Sequence, residues 1–398
     1  MRRVVWVLLL LFAFTIPWEF SLDLGPPLGT VARVAGLLVL LAAIPAVIQT
    51  GRVRNPGAMQ WLALALWLWF CCTFFWTIDA PATLRKIRGF FQVMMIVWLV
   101  WEFAEGPRDL RLLVRVFVAG CGVLAVLTLA DFSSPEAVAA GQYRFAAYGQ
   151  DPNDVARFLD LGFPLAGLLA TRPSGWLERL LALGYLPLGL TAVVLTASRG
   201  GFIAAVVAIV GCGVLLARGH ARLVWAGVGG LPALAAALWF TVPRETFERL
   251  ATIPQQLSRG DLNQRLNIWH AGWHAFVRAP WFGSGAGTFV SAARLSPIDT
   301  AHNTALSISV NGGLCALFLA TAILVLAVAL AWRASGVLRL ALVISLLVWT
   351  VTSLVGTVEE NRTTWLFFAM IALAGRLAEE EPEALAACFS RSVTALQK

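Results

Sequence analysis

Residues 303–332 read NTALSISVNGGLCALFLATAILVLAVALAW, a run without one charged side chain. A helix rises about 1.5 Å per residue, so about 20 such residues cross the hydrocarbon core of a bilayer. Similar runs recur along the 398-residue chain, which is 59% hydrophobic and 13% charged with a mean hydropathy of +0.78. Soluble domains are about 45–50% apolar and about 25% charged. Because backbone in lipid must satisfy its own hydrogen bonds, we predict an all-α polytopic membrane protein.

The apolar runs predict about twelve transmembrane helices, an even number that puts both chain ends on one side. Arg2 and Arg3 assign that side to the cytoplasm by the positive-inside rule. We divide the chain into spans one to nine at 1–241, a large periplasmic, partly helical loop at 242–302, spans ten to twelve at 303–377 and a cytoplasmic tail at 378–398. The spans are predicted near 4–20, 30–49, 57–77, 89–104, 110–131, 154–171, 176–197, 200–217, 222–241, 303–332, 337–356 and 362–377.

Several cations fall on the outer side, against the positive-inside rule. They include Arg85, Lys86, Arg88, Arg144 and Arg199, together with arginines of the 242–302 segment. Cations kept on this side need another reason, and an anionic ligand at the outer face supplies one. For Arg199, a simple anchor to lipid headgroups is the alternative.

The 242–302 segment is the long polar exception in an apolar chain. Asp261 and Gln264 resemble a capping box, and the pattern after them is helical until Pro280. Arg265 and Trp269 are four residues apart and would share one helix face. An amphipathic helix lying on the membrane surface is the alternative. The glycine-rich turn at 283–287 favours packing against a neighbouring helix over a phosphate cradle.

Two short turns break apolar spans in a way that could serve a ligand. Small residues surround the guanidinium in Ser198-Arg199-Gly200-Gly201, and arginine binds phosphate bidentately. Asp151-Pro152-Asn153 begins span six, with Asn153 or Asp154 as the expected cap. After it, Asp160 is expected to pair with Arg157.

His302 and Glu360 are the candidates for proton transfer. A histidine with an ordinary pKa of about 6.5 can take a proton from a hydroxyl at neutral pH, although a structural histidine is an equal alternative. Either Glu359 or Glu360 could orient His302 or receive its proton, but a solvated turn is the simpler interpretation of that position. The six cysteines show no Cys-x-x-Cys spacing, so neither a disulfide nor a metal site is predicted. No nucleic-acid-binding module is visible.

Four elements in this order resemble the O-antigen ligase and O-antigen polymerase superfamily. They are the DPN turn before span six, the SRGG turn, R-x3-W at Arg265 and Trp269, and His302-Asn303. The resemblance implies a glycosyltransferase of the bacterial inner membrane that acts on the periplasmic face. It implies a donor glycan on undecaprenyl pyrophosphate, an acceptor hydroxyl on lipid A–core, and no cofactor or metal.

The resemblance also implies the roles of individual residues. His302, Arg199 and Arg265 are expected to be catalytic, the histidine as base and the arginines on the pyrophosphate. From the residues themselves and their predicted place at the outer face, we also expect substrate binding at Arg144, Arg85, Lys86, Arg88, Asp151, Asn153, Trp269, Asn303 and Glu360. A glycan polymerase and a protein O-oligosaccharyltransferase remain alternatives, and a bicarbonate-type transporter is a more distant one.

Overall fold

The computed structural model describes residues 1–26, 28–218, 220–258, 260–262 and 264–389. These residues form helices and no named strand; one isolated bridge joins Asp23 to Thr30. The helices are α1 (Arg2–Thr15), α2 (Val31–Thr50), α3 (Ala58–Cys72), α4 (Ala80–Phe103), α5 (Pro107–Phe132), α6 (Pro135–Ala139), α7 (Pro152–Thr171), α8 (Trp176–Leu195), α9 (Arg199–Ala217), α10 (Ala221–Thr241), α11 (Arg244–Ala251), α12 (Ile253–Ser258), α13 (Arg265–Arg278), α14 (Phe289–Ala293), α15 (Thr304–Arg333), α16 (Gly336–Leu354), α17 (Arg362–Glu380) and α18 (Pro382–Phe389). A 3₁₀ turn, Ile16–Ser21, extends α1, and another, Thr73–Phe75, extends α3.

The all-helical membrane fold is confirmed. In the part of the chain that the structure describes, nine helices are long and apolar enough to cross a membrane. Each of the other three predicted spans also corresponds to a long helix, namely α4, α7 or α17, but these helices carry more charge. The prediction for α4 is wrong at its start: the helix begins at Ala80, where Asp79 accepts the Ala82 N–H. Arg85 and Arg88 therefore lie in the first turns of a helix and not in a connecting loop.

Two of the charged helices, α7 and α17, lie at the centre of the bundle. In α7 every residue from Phe158 to Thr171 is buried, and in α17 every residue from Thr363 to Leu377 is buried. By contrast, α10 buries only Leu238 and presents the rest of its surface outward. A charged side chain costs less free energy when it is surrounded by protein than when it faces lipid, so these helices occupy the interior.

Helix α15 is broken at Gly313, which has a φ of 68°. The chain before α14 enters this break. Ser284 N–H donates to Val310 O at 2.9 Å, and Leu314 N–H donates to Pro280 O at 2.8 Å. A Cβ on Gly283 would lie 2.6 Å from the Asn311 backbone. The glycine turn is therefore a packing element, as expected, and its backbone replaces the helical hydrogen bonds that the break removes.

Contacts sort the helix ends into two sets, which match the two sides predicted from the sequence. At one end Arg2 pairs with Glu102 at 2.8 Å, Arg111 pairs with Glu178 at 2.8 Å, and α18 packs beneath them with Phe389 buried. We call this the paired end. The tail was expected to be solvated from residue 378; instead α17 continues to Glu380 and α18 packs on the bundle, while 390–398 lie outside the described residues. The 242–302 segment covers the other end, which we call the loop end.

Candidate functional site

The Ser198-Arg199 turn joins α8 to α9 at the loop end. Ala197 has a φ of 48°, a left-handed conformation that is strained for alanine. The Ser198 hydroxyl caps α9 by accepting the Gly201 N–H at 3.2 Å and donates to Asn153 Oδ1 at 2.9 Å. This geometry makes Arg199 the first residue of α9. Strained backbone held by surrounding bonds is characteristic of functional sites.

Two arginines from other elements hold the turn in place. Arg144 Nε donates to Thr196 O at 3.2 Å, and Arg249 Nε donates to Ala197 O at 3.1 Å. These bonds satisfy carbonyls at the carboxyl end of α8, where no helical partner follows. Arg249 was not predicted as a site residue, because nothing in the sequence indicates which arginine of the 242–302 segment meets the turn.

The Asp151-Pro152 turn starts α7 beside the Ser198 turn. Asp151 is the cap and accepts the Asn153 N–H at 2.8 Å, so the expectation of a cap at Asn153 or Asp154 is wrong. The Asn153 side chain faces the other turn and accepts from Arg144 at 3.2 Å. Arg157 pairs with Asp154, while both carboxylate oxygens of the fully buried Asp160 lack a hydrogen-bond partner among the described residues. The expected Asp160–Arg157 pair is therefore not formed as a hydrogen-bonded contact.

The R-x3-W motif lies on α13, which begins at Arg265. Gln264, just before it, has a φ of 65° and gives no side-chain cap, so the expected capping box does not form. The Trp269 indole N–H donates to Ala301 O at 3.1 Å. This bond fixes the residue before His302, whose own φ is 46°. Asn303 then caps α15 by accepting the Leu306 N–H at 2.9 Å. The motif tryptophan therefore helps to position the histidine.

His302 lies in a strongly cationic environment. Burial, and after it the charges of Arg265 and Arg157, lower the pKa of His302 to about 4. Burial, followed by the neighbouring charge of Arg199, also lowers the pKa of Arg265. The nearby carboxylate of Asp151 acts in the opposite direction and raises the pKa of His302, but its effect is smaller. The imidazole is consequently neutral at physiological pH. Arg157 is a further site candidate, whereas the sequence indicated only a structural pair with Asp160.

The cations of the cluster differ in what they bind. Arg144 and Arg249 donate to the Ser198 turn, as described above. Within the described residues, the side chains of Arg199 and Arg265 form no ion pair within 4 Å and no hydrogen bond, and both are half-buried. Two guanidinium groups are thus available to an anion that approaches from the loop end.

Four predicted site residues lie elsewhere on the loop end. Lys86 is buried and pairs with Glu360 and, at 3.1 Å, with Glu359. Glu359 also accepts from Ser307 at 2.6 Å. Because its ammonium already pairs with these carboxylates, Lys86 is not free to bind an anion. Glu360 pairs with Lys86 and not with His302. The remaining two, Arg85 and Arg88, are exposed on the first turns of α4.

A shallow groove of about 380 Å³ lies along α13 beside Asn303. Trp269, His270 and Trp273 form one wall, and Trp273 is 56% exposed. Trp273 does not belong to the packed face of α13. Instead Ile268, Gly272 and Ala275 form that face.

The long apolar helices define a multi-pass membrane protein. Its cationic cluster lies at the loop end. The family model described as O-antigen ligase matches residues 184–321. The matched part runs from α8 into α15 and includes Arg199, Arg265 and His302. The match confirms the resemblance to the O-antigen ligase superfamily that was drawn from the motifs. The family indicates a glycosyltransferase-type enzyme of the O-antigen ligase or polymerase kind. No curated protein matches the chain.

Proposed function

We propose that the protein transfers an O-antigen-like glycan from undecaprenyl pyrophosphate to a sugar hydroxyl of lipid A–core on the periplasmic face of the bacterial inner membrane. One observation carries the proposal: Arg199 and Arg265, which form no ion pair or hydrogen bond among the described residues, lie in one cluster with His302. There the charge of Arg199 lowers the pKa of Arg265, and the charge of Arg265 lowers the pKa of His302. The two arginines would bind a dianion, and the neutral histidine beside them would act as the base.

The arginines suit the donor because its leaving group is a pyrophosphate. In the transition state, negative charge builds on the bridging oxygen as the anomeric carbon–oxygen bond breaks. Fixed guanidinium groups in a partly buried site stabilise that charge without reorganising. Arg144 and Arg249 keep the turn that carries Arg199 rigid, so its position is preset.

His302 suits the acceptor step because it is neutral. Its ring would accept the proton of the acceptor hydroxyl while the oxygen attacks the anomeric carbon from the face opposite the pyrophosphate. One carbon–oxygen bond forms, one breaks, the configuration inverts, and the electron pair leaves with undecaprenyl pyrophosphate. The bound donor also offsets the positive charges of Arg265 and Arg157, which raises the basicity of His302 when a substrate is present.

The groove along α13 suits an acceptor sugar. Exposed indole faces are apolar, and the polar edges of His270 and Asn303 offer hydrogen bonds, a combination that fits a pyranose ring. Its position beside Asn303 brings a bound sugar to the residue that follows His302. Trp269 serves as both wall and anchor, since its N–H is bonded to Ala301.

Direct transfer by the purified protein tests the proposal. The donor is an undecaprenyl-pyrophosphate-linked glycan, and the candidate acceptors are lipid A–core, a second copy of the lipid-linked glycan and an acceptor peptide. Transfer to lipid A–core alone supports a ligase. Transfer to the lipid-linked glycan identifies a polymerase, and transfer to the peptide identifies a protein O-oligosaccharyltransferase. Because arginines replace a divalent cation in this mechanism, full activity is expected in EDTA, and loss of activity in EDTA would contradict it.

The break in α15 is a feature that also occurs in transporters, where interrupted helices bind substrate near the midplane. Here the break is filled by the backbone of residues 280–285, which takes up the exposed carbonyls and N–H groups. Transport is therefore not favoured over glycan transfer.

A further inference from the structure

Another groove lies between α2 and α4, beside Phe12 of α1. The groove has a volume of about 230 Å³. Its walls are two stripes that face each other: Gly36, Leu37 and Leu40 on α2, and Met95, Ile96 and Leu99 on α4. None of these residues belongs to the cluster around His302.

The groove is apolar along its length and polar at one rim. On α2, Arg33 stands seven residues before Leu40, and on α4, Gln92 stands seven residues before Leu99. Seven helical residues rise about 10 Å, so the apolar part reaches well into the hydrocarbon layer from a headgroup-level rim. Gly36 lets α2 pack closely on the Phe12 ring, because a Cβ there would lie 3.1 Å from it.

The rim carries one positive charge in excess. Arg362 pairs with the buried Glu19 and donates to Gln92 at 3.1 Å, so its charge is matched and its guanidinium is held at the rim. Arg33 is exposed, and no carboxylate of the described chain pairs with it within 4 Å. Arginine so placed binds phosphate oxygens well and pairs with a single negative charge.

We propose that this groove binds one acyl chain of an anionic phospholipid with a single net charge, such as phosphatidylglycerol, with its phosphate on Arg33. A gap between lipid-facing helices leaves its lining without contacts unless hydrocarbon fills it, which accounts for the chain. The unmatched arginine at the rim accounts for the headgroup. The site is independent of glycan transfer and stands even if the protein has another activity.

Native mass spectrometry of the full chain, released from nanodiscs of equal phosphatidylglycerol and phosphatidylcholine, tests the proposal. The wild type should retain one phosphatidylglycerol in preference to phosphatidylcholine. Arg33→Gln should lower that retention about tenfold, since one charge-assisted phosphate contact is lost. Leu37→Trp, at a position already 55% exposed, should lower it by filling the groove without disturbing the core. Arg244→Gln, an exposed arginine outside the groove, is the matched control and should retain lipid as the wild type does.

Three results would overturn the proposal. The first is equal retention of the two phospholipids by the wild type. The second is unchanged retention in both Arg33→Gln and Leu37→Trp. The third is preferential retention of added undecaprenyl phosphate over phosphatidylglycerol, which would make the groove a carrier-lipid site.

Discussion

The two ends of the helix bundle use arginine in opposite ways. At the paired end, Arg111 is 10% exposed and lies against a Glu178 that is 3% exposed. At the loop end, Arg199 and Arg265 have no carboxylate within 4 Å in the described chain and sit among other cations. Unpaired, partly desolvated charge is costly, so its retention at one end indicates a ligand that supplies the counter-charge. What distinguishes a structural arginine from a binding one is therefore its partner and not its position along the chain.

Removing the base is the strongest way to test the loop end. We expect His302→Ala to lower the rate of glycan transfer by about 10²–10⁴-fold, because acceptor deprotonation would lose its general base. The measurement is transfer to lipid A–core by purified protein, normalised to folded protein. His274→Ala, an exposed histidine on the same segment, is the control and should keep wild-type rates. Equal rates in the two variants would falsify the assignment of His302.

At the paired end the matching change should affect stability and not rate. Arg111→Ala leaves the buried Glu178 without its closest charged partner, and breaking a buried pair costs about 3–5 kcal/mol. The thermal midpoint in detergent should fall while the rate per folded molecule stays constant. Arg115→Ala removes a 34% exposed partner of the same carboxylate and should cost less. A loss of rate in folded Arg111→Ala protein would erase the distinction between the ends.

Arg265→Lys tests whether the loop end needs a guanidinium or only a charge. Loss of one preorganised donor to a developing oxyanion costs about 10²–10³ in rate, and lysine cannot reproduce the two-pronged contact. We expect a loss toward the lower figure, together with a weaker apparent affinity for the lipid-linked donor. The exposed Arg244→Lys is the control. Undiminished turnover in Arg265→Lys would mean that this arginine does not hold the pyrophosphate.

Much of the fold could be predicted because each helix that crosses a lipid bilayer needs a run of about 20 apolar residues. Runs such as 303–332 identify helices by length and apolarity, and the positive-inside rule separated the same two sets of helix ends that the contacts join. The start of α4 was missed because Arg85, Lys86 and Arg88 look like a loop. Their helix carries more charge than a lipid-facing span would tolerate.

The candidate site could be predicted only where a motif carried it. Arg199, Arg265 and His302 are placed by short patterns, whereas Arg249 and Arg157 contribute through long-range contacts that no local spacing encodes. The same limit explains Lys86: its partners Glu359 and Glu360 are more than 270 residues away in sequence. Only the folded chain shows which cations are already neutralised.

A smaller effect is expected at the anchor of the histidine. Trp269→Phe keeps an aromatic ring on α13 but removes the hydrogen bond to Ala301 O. A net hydrogen bond is worth about 1 kcal/mol, so transfer should slow by about fivefold, mostly in kcat. Trp281→Phe, an exposed tryptophan outside the groove, should change nothing measurable. If both variants behave alike, Trp269 does not position His302.

The smallest expected change is in the pH profile between pH 8 and 5.5. With a pKa of about 4, more than nine-tenths of His302 is the neutral base at pH 5.5, whereas about a tenth of an ordinary histidine would be. The acid limb of kcat/KM, which reports the free enzyme, should therefore fall near pH 4. The acid limb of kcat should lie at higher pH, because the bound pyrophosphate offsets the cations that lower the pKa of His302.

Arg265→Gln removes one of these cations and should move the acid limb of kcat/KM to higher pH, while Arg244→Gln should leave it in place. A kcat/KM limb near pH 6.5 in the wild type would show that the unpaired arginines do not act on His302, and the contrast between the two ends would then lose its link to catalysis.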